Sequence, residues 1–454
     1  MIDRSAGWVA SAAGGSLLAG DPALTGFRRA VVDSRAAGPG DLFVGLPGER
    51  VDGGEFAAGA LAAGALGALV SPSHAHALLD GLEGEGDRVV IAVEAPLAAL
   101  QRLARAWRGD LACPCVGITG STGKTSTKDI LAALLRPHRR THANAENLNT
   151  EIGLPLTLLE AEAGTEALVL EMAMRGEGQI AELVRICDPD VGAIVNVGPV
   201  HLELLGTVER VAAAKAELIR DLRPGAACVV PAGEALLAEH LRDDLETISF
   251  GEGGDVTLAS FDGVRARIDA RGTPVELELP FDEPYNLLNT LAAVAAATAV
   301  GVRPQGRVDV AFSSMRGELV QLPGGIAVVN DCYNANPMSM HAALEHLAAA
   351  PAERRIAILG GMAELGEDEA RYHREVGEHA AGAGVELLVT VGELALGYAA
   401  GYRGETHSVA SPEEAGALLE EVAAPGDRVL IKGSRSVGLE RVLEGARADT
   451  AQET

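Results

Sequence analysis

The run VGITGSTGKTSTKD, Val116 to Asp129, fixes local structure more tightly than any other stretch of the chain. A short apolar strand leads into a glycine loop and then into the start of a helix, with Lys124 and Thr125 at the turn. Gly120 and Gly123 let backbone N–H groups come close to a polyphosphate, and the N-terminus of the following helix favours negative charge. Lys124 can reach β- and γ-phosphate oxygens, and the Thr125 hydroxyl can hold Mg²⁺. The spacing departs from the usual GxxxxGK[ST] form, because Ile118 stands where that form has glycine. A GKT with two glycines also fits an ordinary strand-to-helix turn. The strand before it and the Thr/Ser-rich helix start after it favour a nucleotide.

A strand–loop–helix unit of this kind belongs in a parallel α/β sheet, and the rest of the chain agrees. Residues 1–110 hold short strands (RAVVDSR, DLFVGL, GALVS, RVVIAV) between Ala-rich helical pieces, and Asp52 to Val70 reads as a helix feeding a buried strand. In 111–308, apolar strands such as ALVLEMA and VGAIVNVG alternate with helical runs, which predicts a mostly parallel sheet. In 309–454, IAVVND, RRIAILGGM, ELLVTVGE and DRVLIKGS read as buried strands of a second doubly wound unit. Three domains suit a length of 454 residues. Only 3% of residues are aromatic, so the cores must be built from Ala, Leu and Val. The tail RADTAQET, Arg447–Thr454, is expected to fray.

Charge and cysteine usage narrow the partners. A net charge of −27 disfavours general nucleic-acid binding and requires any nucleotide site to be made locally, from Lys124, backbone dipoles and bound Mg²⁺. No signal peptide or apolar run of membrane-spanning length is read in the sequence. Five scattered cysteines, with Cys113 and Cys115 as CxC, argue against a disulfide framework or a cysteine zinc site and suit a reducing cytoplasm.

Other polar groups fall at strand ends. Glu171 ends ALVLEMA, where open α/β sheets place ligands; it can bind Mg²⁺ or be a solvated strand-end carboxylate. His201 and Glu203 follow AIVNVG and would suit metal-assisted phosphoryl transfer, although a His after a strand also serves as a structural hydrogen-bonder. Lys215, in VAAAKAELI, is either a surface lysine or a cation on a face with little competing charge. NDCYNANPMSMHAAL places Asp331, Asn334 and Asn336 at one strand end before a helix after Pro337. Lys432, Ser434 and Arg435, in LIKGSRSVGLE, suit a carboxylate or phosphate.

Taken in order, these phrases resemble the Mur ligases of peptidoglycan synthesis. They include DSRAAGPGDLFVGLPGERVDGGEF, TGSTGKTSTKD, NLNTEIGLPLTLL, EMAMRGEGQIAEL, NVGPVHLELLG, YNLLNTLAA, YNANPMSM, MAELG and KGSRS, spread over nearly the whole chain. The resemblance implies an N-terminal α/β domain for a UDP-sugar, a central P-loop ATPase and a C-terminal Rossmann-like domain that closes over the site. It implies ATP and Mg²⁺, and joining of a UDP-MurNAc-tripeptide carboxylate to the amine of D-Ala-D-Ala by a cytoplasmic monomer. By that analogy Gly120, Ser121, Thr122, Gly123, Lys124, Thr125 and Ser126 take the phosphates, while Thr125, Glu171 and His201 hold or border Mg²⁺. Lys215 matches a lysine that is carbamylated in several relatives, and Lys124, Lys215 and His201 are the expected catalytic side chains. Asn286 and Asn289 match the adenine side, Arg316 and Asp331 approach ATP, and Asp33, Ser34 and Arg35 meet the uridine end. Asn334, Asn336, Lys432, Ser434 and Arg435 are expected on the substrate side.

The pattern departs from the family at Gly361 (usually Asp), Ala173 (usually Gly), Thr150 (usually Asn) and Tyr285 (frequently His), which touches the substrate site before the reaction. Two other readings compete. One is a related amide ligase, either the third-residue-adding enzyme, whose DNPR phrase is missing, or folylpolyglutamate synthetase, which lacks a UDP-sugar domain. The other is a nucleotide-binding regulator, which need not keep Glu171, His201 and Lys215 together.

Overall fold

A computed structural model describes residues 4–79, 88–145 and 147–444; the tail expected to fray lies outside them. Three sheets follow one another along the chain. The first contains β1 (Ser16–Ala19), β2 (Arg29–Val31), β3 (Asp41–Val44), β4 (Gly67–Val70) and β5 (Val89–Ala92), in the order β1-β5-β4-β3-β2. β1 runs antiparallel to β5 and the other pairs are parallel. β1 adds to the four strands read from the sequence; it is too short to show a periodic pattern.

The second sheet contains β6 (Cys115–Thr119), β7 (Thr141–Ala143), β8 (Ala167–Glu171), β9 (Val191–Ile194), β10 (Ala227–Pro231) and β11 (Glu246–Phe250). It continues with β12 (Val256–Phe261), β13 (Arg265–Ala270), β14 (Thr273–Glu278) and β15 (Gly306–Arg307). Their order is β15-β14-β13-β12-β11-β10-β9-β6-β8-β7. β6 lies between parallel partners β8 and β9 and is buried at every residue, which is why its sequence is continuously apolar. β12, β13 and β14 pair antiparallel, and β13 alternates exposed and buried residues because one face meets water.

The third sheet contains β16 (Glu318–Leu322), β17 (Ile326–Asp331), β18 (Arg354–Gly360), β19 (Leu387–Val391), β20 (Glu405–Val409) and β21 (Asp427–Lys432). The order is β16-β17-β21-β18-β19-β20, parallel except for β16 against β17. β16 and β20 were not among the strands read from the sequence. Both lie on the edges and are mostly part-exposed, so they lack the apolar run that marks an inner strand.

Alanine does the work that aromatics do elsewhere. Leu291 to Ala297 of the helix Pro284–Ala299 are all buried, and that helix packs on the helix Lys124–Leu135. Small side chains let the two helices lie close across one face of the central sheet.

The cores differ in how they are shared. Val89 and Ile91 of the first sheet lie in one cluster with Leu100, Leu103 and Trp107 of the helix Pro96–Leu111. Leu154, Leu158 and Leu168 of the second unit belong to the same cluster. The buried members of the two C-terminal clusters all lie between Val328 and Leu443, and Tyr372 packs against both one of these and the shared core. Among the described residues, no helix is long and apolar enough to cross a membrane.

Candidate active site

The glycine loop leaves β6 and enters the helix Lys124–Leu135 through Gly123, whose φ of 75° favours glycine. A Cβ there would also run into the side chain of Asn289. The loop is held from below by Asn196, just past β9. Its Oδ1 accepts from the backbone N–H of Ser121 (3.1 Å) and Thr122 (2.9 Å), and its Nδ2 donates to Thr122 O (3.1 Å). Ser121 Oγ donates to Gly198 O at 3.0 Å. Lys124 Nζ folds back over the loop to Gly120 O at 2.8 Å. Burial lowers the Lys124 pKa; Glu171 opposes that shift and the guanidinium of Arg316 reinforces it.

Beneath the loop, Glu171 ends β8 and is buried. Thr125 Oγ1 donates to its Oε2 at 2.7 Å and Asn149 Nδ2 to its Oε1 at 2.7 Å. Asn144 fixes its backbone, accepting from Glu171 N at 2.9 Å. The solvated alternative for this carboxylate therefore does not hold. Nor does the surface alternative for Lys215, which is 1% exposed on the helix Val208–Asp221. Burial pushes its pKa well below the usual 10.5, Lys124 pushes the same way, and it has no hydrogen-bond acceptor among the described residues. Thr125 and Glu171 together offer hard oxygen donors beside the loop, the chemistry that suits Mg²⁺.

His201 adopts φ 54° ahead of a short helix, and its Nδ1 meets Glu364 Oε2 at 2.5 Å. Burial lowers the His201 pKa, and the hydrogen bond and charge of Glu364 act against it. The other Glu364 oxygen takes Arg175 at 2.6 Å, and its backbone O accepts from Glu203 N at 3.2 Å. The Glu203 side chain is exposed, so its part here is played by the backbone.

The C-terminal unit supplies the opposite wall. The Arg316 guanidinium lies 4.1 Å from the centre of the Tyr333 ring, and its Nε is buried without a hydrogen-bond partner among the described residues. Asp331 pairs with Lys432 Nζ at 2.6 Å, and Lys432 also donates to Asn334 O at 3.0 Å. These groups line two adjoining clefts. A cavity of about 140 Å³ runs past Ser121–Ser126, Tyr285, Asn289, Arg316 and Asp331. Another of about 630 Å³ runs past Glu171, Arg175, His201, Glu364 and Arg435.

Several expected positions behave differently. Asn336 lines both clefts, but its side chain caps the helix Pro337–Ala349, accepting from Ser339 N at 3.0 Å. Ser434 Oγ is taken by Ala363 N at 2.9 Å. Lys432 is neutralised by Asp331 rather than left for an anion. Asn286 does not line the cavity; it accepts from Asn289 Nδ2 at 3.2 Å and donates to Glu283 at 3.1 Å. Asp33, Ser34 and Arg35 lie beyond β2, away from both clefts, with Arg35 pairing Asp33 at 2.7 Å and holding its carboxyl down at about 2. Arg435 pairs with Glu440 at 3.0 Å while lining the larger cleft.

Asn144, Asn149, Asn196 and Glu364 were not singled out from the sequence. Asn196 had a signal, since it is the one polar residue in AIVNVG. Glu364 lies in the quoted phrase MAELG, but nothing there shows that it meets His201 and Arg175, which are more than 160 residues away.

Three family models match successive parts of the chain. The Mur ligase family catalytic domain matches residues 30–108, the Mur ligase middle domain 118–297, and the Mur ligase glutamate ligase domain 315–435. The UDP-N-acetylmuramoyl-tripeptide–D-alanyl-D-alanine ligase of Synechocystis sp. is 37% identical over 92% of this chain and 91% of its own length. The enzyme of that name from Bacillus subtilis is 33% identical over 98% of each. A crystal structure of MurF from Acinetobacter baumannii superposes with TM-score 0.85 at 27% identity, covering 98% of each chain. MurF from Thermotoga maritima, in complex with ADP, does so at 0.81 and 31% identity, over 94% of this chain and 99% of that one.

Proposed function

From the premise that this chain belongs to the Mur ligase family, we propose that it joins D-alanyl-D-alanine to UDP-MurNAc-tripeptide at the expense of ATP. The observation that carries the reading is that Arg316 and the Asp331–Lys432 pair of the C-terminal unit face the phosphate loop of the central unit across one cavity.

A carboxylate is a poor electrophile at neutral pH. Transfer of the γ-phosphoryl group from ATP to the tripeptide's terminal carboxylate forms an acyl phosphate and releases ADP. The amine of D-Ala-D-Ala then adds to the acyl carbon, loses a proton, and the tetrahedral species expels phosphate. Both steps crowd anions together, so the protein's part is positioning and neutralisation of charge. The loop N–H groups cradle the phosphates, Lys124 swings from Gly120 O to the β,γ-oxygens, and Arg316 meets the γ-phosphoryl from the other side. Adenine lies against Tyr285, Leu288 and Asn289. Mg²⁺, held by Thr125 and Glu171 with His201 nearby, would supply further neutralisation. Glu364 keeps the His201 imidazole oriented. Lys215, a buried amine favoured in its neutral form, fits the reactant that takes up CO₂ as a carbamate. Asp33, Ser34 and Arg35 hold the uridine end. The enzyme acts as a cytoplasmic monomer on small-molecule substrates, where its UDP-linked substrate and ATP are made.

Mass spectrometry of the purified protein mixed with UDP-MurNAc-tripeptide, ATP and D-Ala-D-Ala tests the proposal. The expected product is the pentapeptide with one ADP formed per bond. ADP without a new amide would leave a nucleotide hydrolase, and the ligase reading would be wrong.

A further inference from the structure

Glu364 meets His201 from a backbone that an L-residue rarely adopts, with φ 64°. Such a conformation costs free energy and persists only where its surroundings hold it. Here each of the four residues before it is tied to another part of the third unit. Tyr398 Oη donates to Gly360 O at 2.9 Å, and Ser434 N to Gly361 O at 3.1 Å. Met362 N donates to His373 Nε2 at 2.9 Å, and Ala363 N to Ser434 Oγ at 2.9 Å.

Ser434 lines the larger cleft, whereas His373 and Tyr398 line neither. His373 lies on the helix Glu369–Gly382 and is 1% exposed, with its ring against that of Tyr398 at a centroid distance of 4.8 Å. Its Nδ1 stands 2.8 Å from Glu369 O, which can only accept. Nε2 accepts from Met362, so both nitrogens are used and the neutral Nδ1–H form is the one that fits. Burial lowers the His373 pKa and favours that form, while the Glu369 carbonyl and carboxylate act against the shift. Met362 is fully buried, so its N–H has no water to replace the imidazole.

We propose that His373 is a positioning residue for the amide-forming reaction: it holds Met362 so that Glu364, two residues on, keeps its left-handed backbone and reaches His201. The inference rests on the ligase reading above, which gives the His201 side of the cleft its chemistry. Without the imidazole, Met362 N–H loses its acceptor and the loop can relax Glu364 out of the left-handed region. The carboxylate then turns away from both His201 and Arg175.

The test is a double-mutant cycle on the full-length enzyme. His373→Leu should lower kcat about tenfold with KM for ATP and tripeptide little changed, the signature of misplaced rather than missing groups. His373→Gln, whose amide oxygen can reach the place of Nε2, should recover most of that loss. His373→Asn is too short to reach Met362 and should behave as His373→Leu does, which keeps the test open if the leucine variant fails to fold. Added to Glu364→Gln, His373→Leu should cost no more than about twofold, because both changes act through one contact. Tyr402→Phe removes another buried hydrogen bond of the same unit, to Val385 O, and should lower Tm while leaving kcat unchanged. Hydrogen exchange over residues 360–366 should quicken in His373→Leu and stay near native in His373→Gln. Absence of amide product from the native protein would overturn the ligase reading, and with it this role. Product from the native enzyme with undiminished kcat in the leucine and asparagine variants, additive losses in the cycle, or unchanged exchange overturns the inference alone.

Discussion

The first and second units of this molecule are joined differently from the second and third. Between the first two the seam is apolar: Trp107 and Leu103 bury against Leu154 and Leu158, and Trp107 Nε1 donates to Ala161 O at 3.0 Å. Between the second and third it is mainly polar: Glu364 meets His201 and Arg175, and Asp129 accepts from Ser313 N and Oγ at 3.0 Å. Apolar burial contributes in proportion to area and resists opening, whereas half-exposed ion pairs contribute little net stability. The two N-terminal units thus share one apolar core, while the third meets them mainly through polar contacts, with Tyr372 packed against that shared core. The chemistry proposed above lies along the polar seam.

The largest expected effect falls on rate. Lys124→Ala should lower kcat about a thousandfold, the scale of removing one positioned charge-stabilising group, with thermal unfolding little changed. Normal ADP release by that variant would move the chemistry away from the polar seam. Trp107→Ala should destabilise the two N-terminal units by about 3–5 kcal/mol. Calorimetry should show that transition falling while the C-terminal one stays in place; a shift of both would mean that the seams are equivalent. Glu364→Gln should cost under about 1 kcal/mol of stability, since the pairs it loses are part-exposed. Its kcat should nevertheless drop about a hundredfold through misplacement of His201, with small-angle scattering reporting a looser third unit.

A pH-dependent effect concerns Lys215, which reports how dry its buried site near Lys124 is. Its folded pKa lies well below the unfolded 10.5, so the unfolded chain binds more protons in that window. In bicarbonate-free buffer, wild-type stability relative to Lys215→Met should therefore rise as pH climbs towards 10.5, by at most about 1.4 kcal/mol per pH unit. Denaturant melts across a pH series would show it. A flat difference would mean that the amine is solvated or already modified.

What the sequence revealed follows the same division. Inner parallel strands such as β6, β18 and β21 announce themselves as apolar runs, and the glycine loop announces its own turn. Edge strands β1, β16 and β20 do not, because a half-exposed strand has no distinctive composition. The strand-end position of Glu171 was legible, although its burial was not. Pairings across the polar seam were not legible: His201, Arg316 and Asp331 were named singly, but the Glu364–His201 contact joins segments 163 residues apart, and nothing local marks either partner for the other. Asn336 and Ser434 mislead for a related reason. A capping or loop-closing side chain has the same amide or hydroxyl as a ligand-binding one, and only its hydrogen bonds tell them apart.

Asn196 carries a consequence for affinity. By gripping Ser121 and Thr122 it sets the loop's shape during folding, so on the proposed reading a bound triphosphate need not freeze a wandering segment. Tightness is in this way invested in a residue one layer removed from the guest. Asn196→Ala should loosen nucleotide uptake in isothermal titration through a less favourable entropy, with the heat of association little altered.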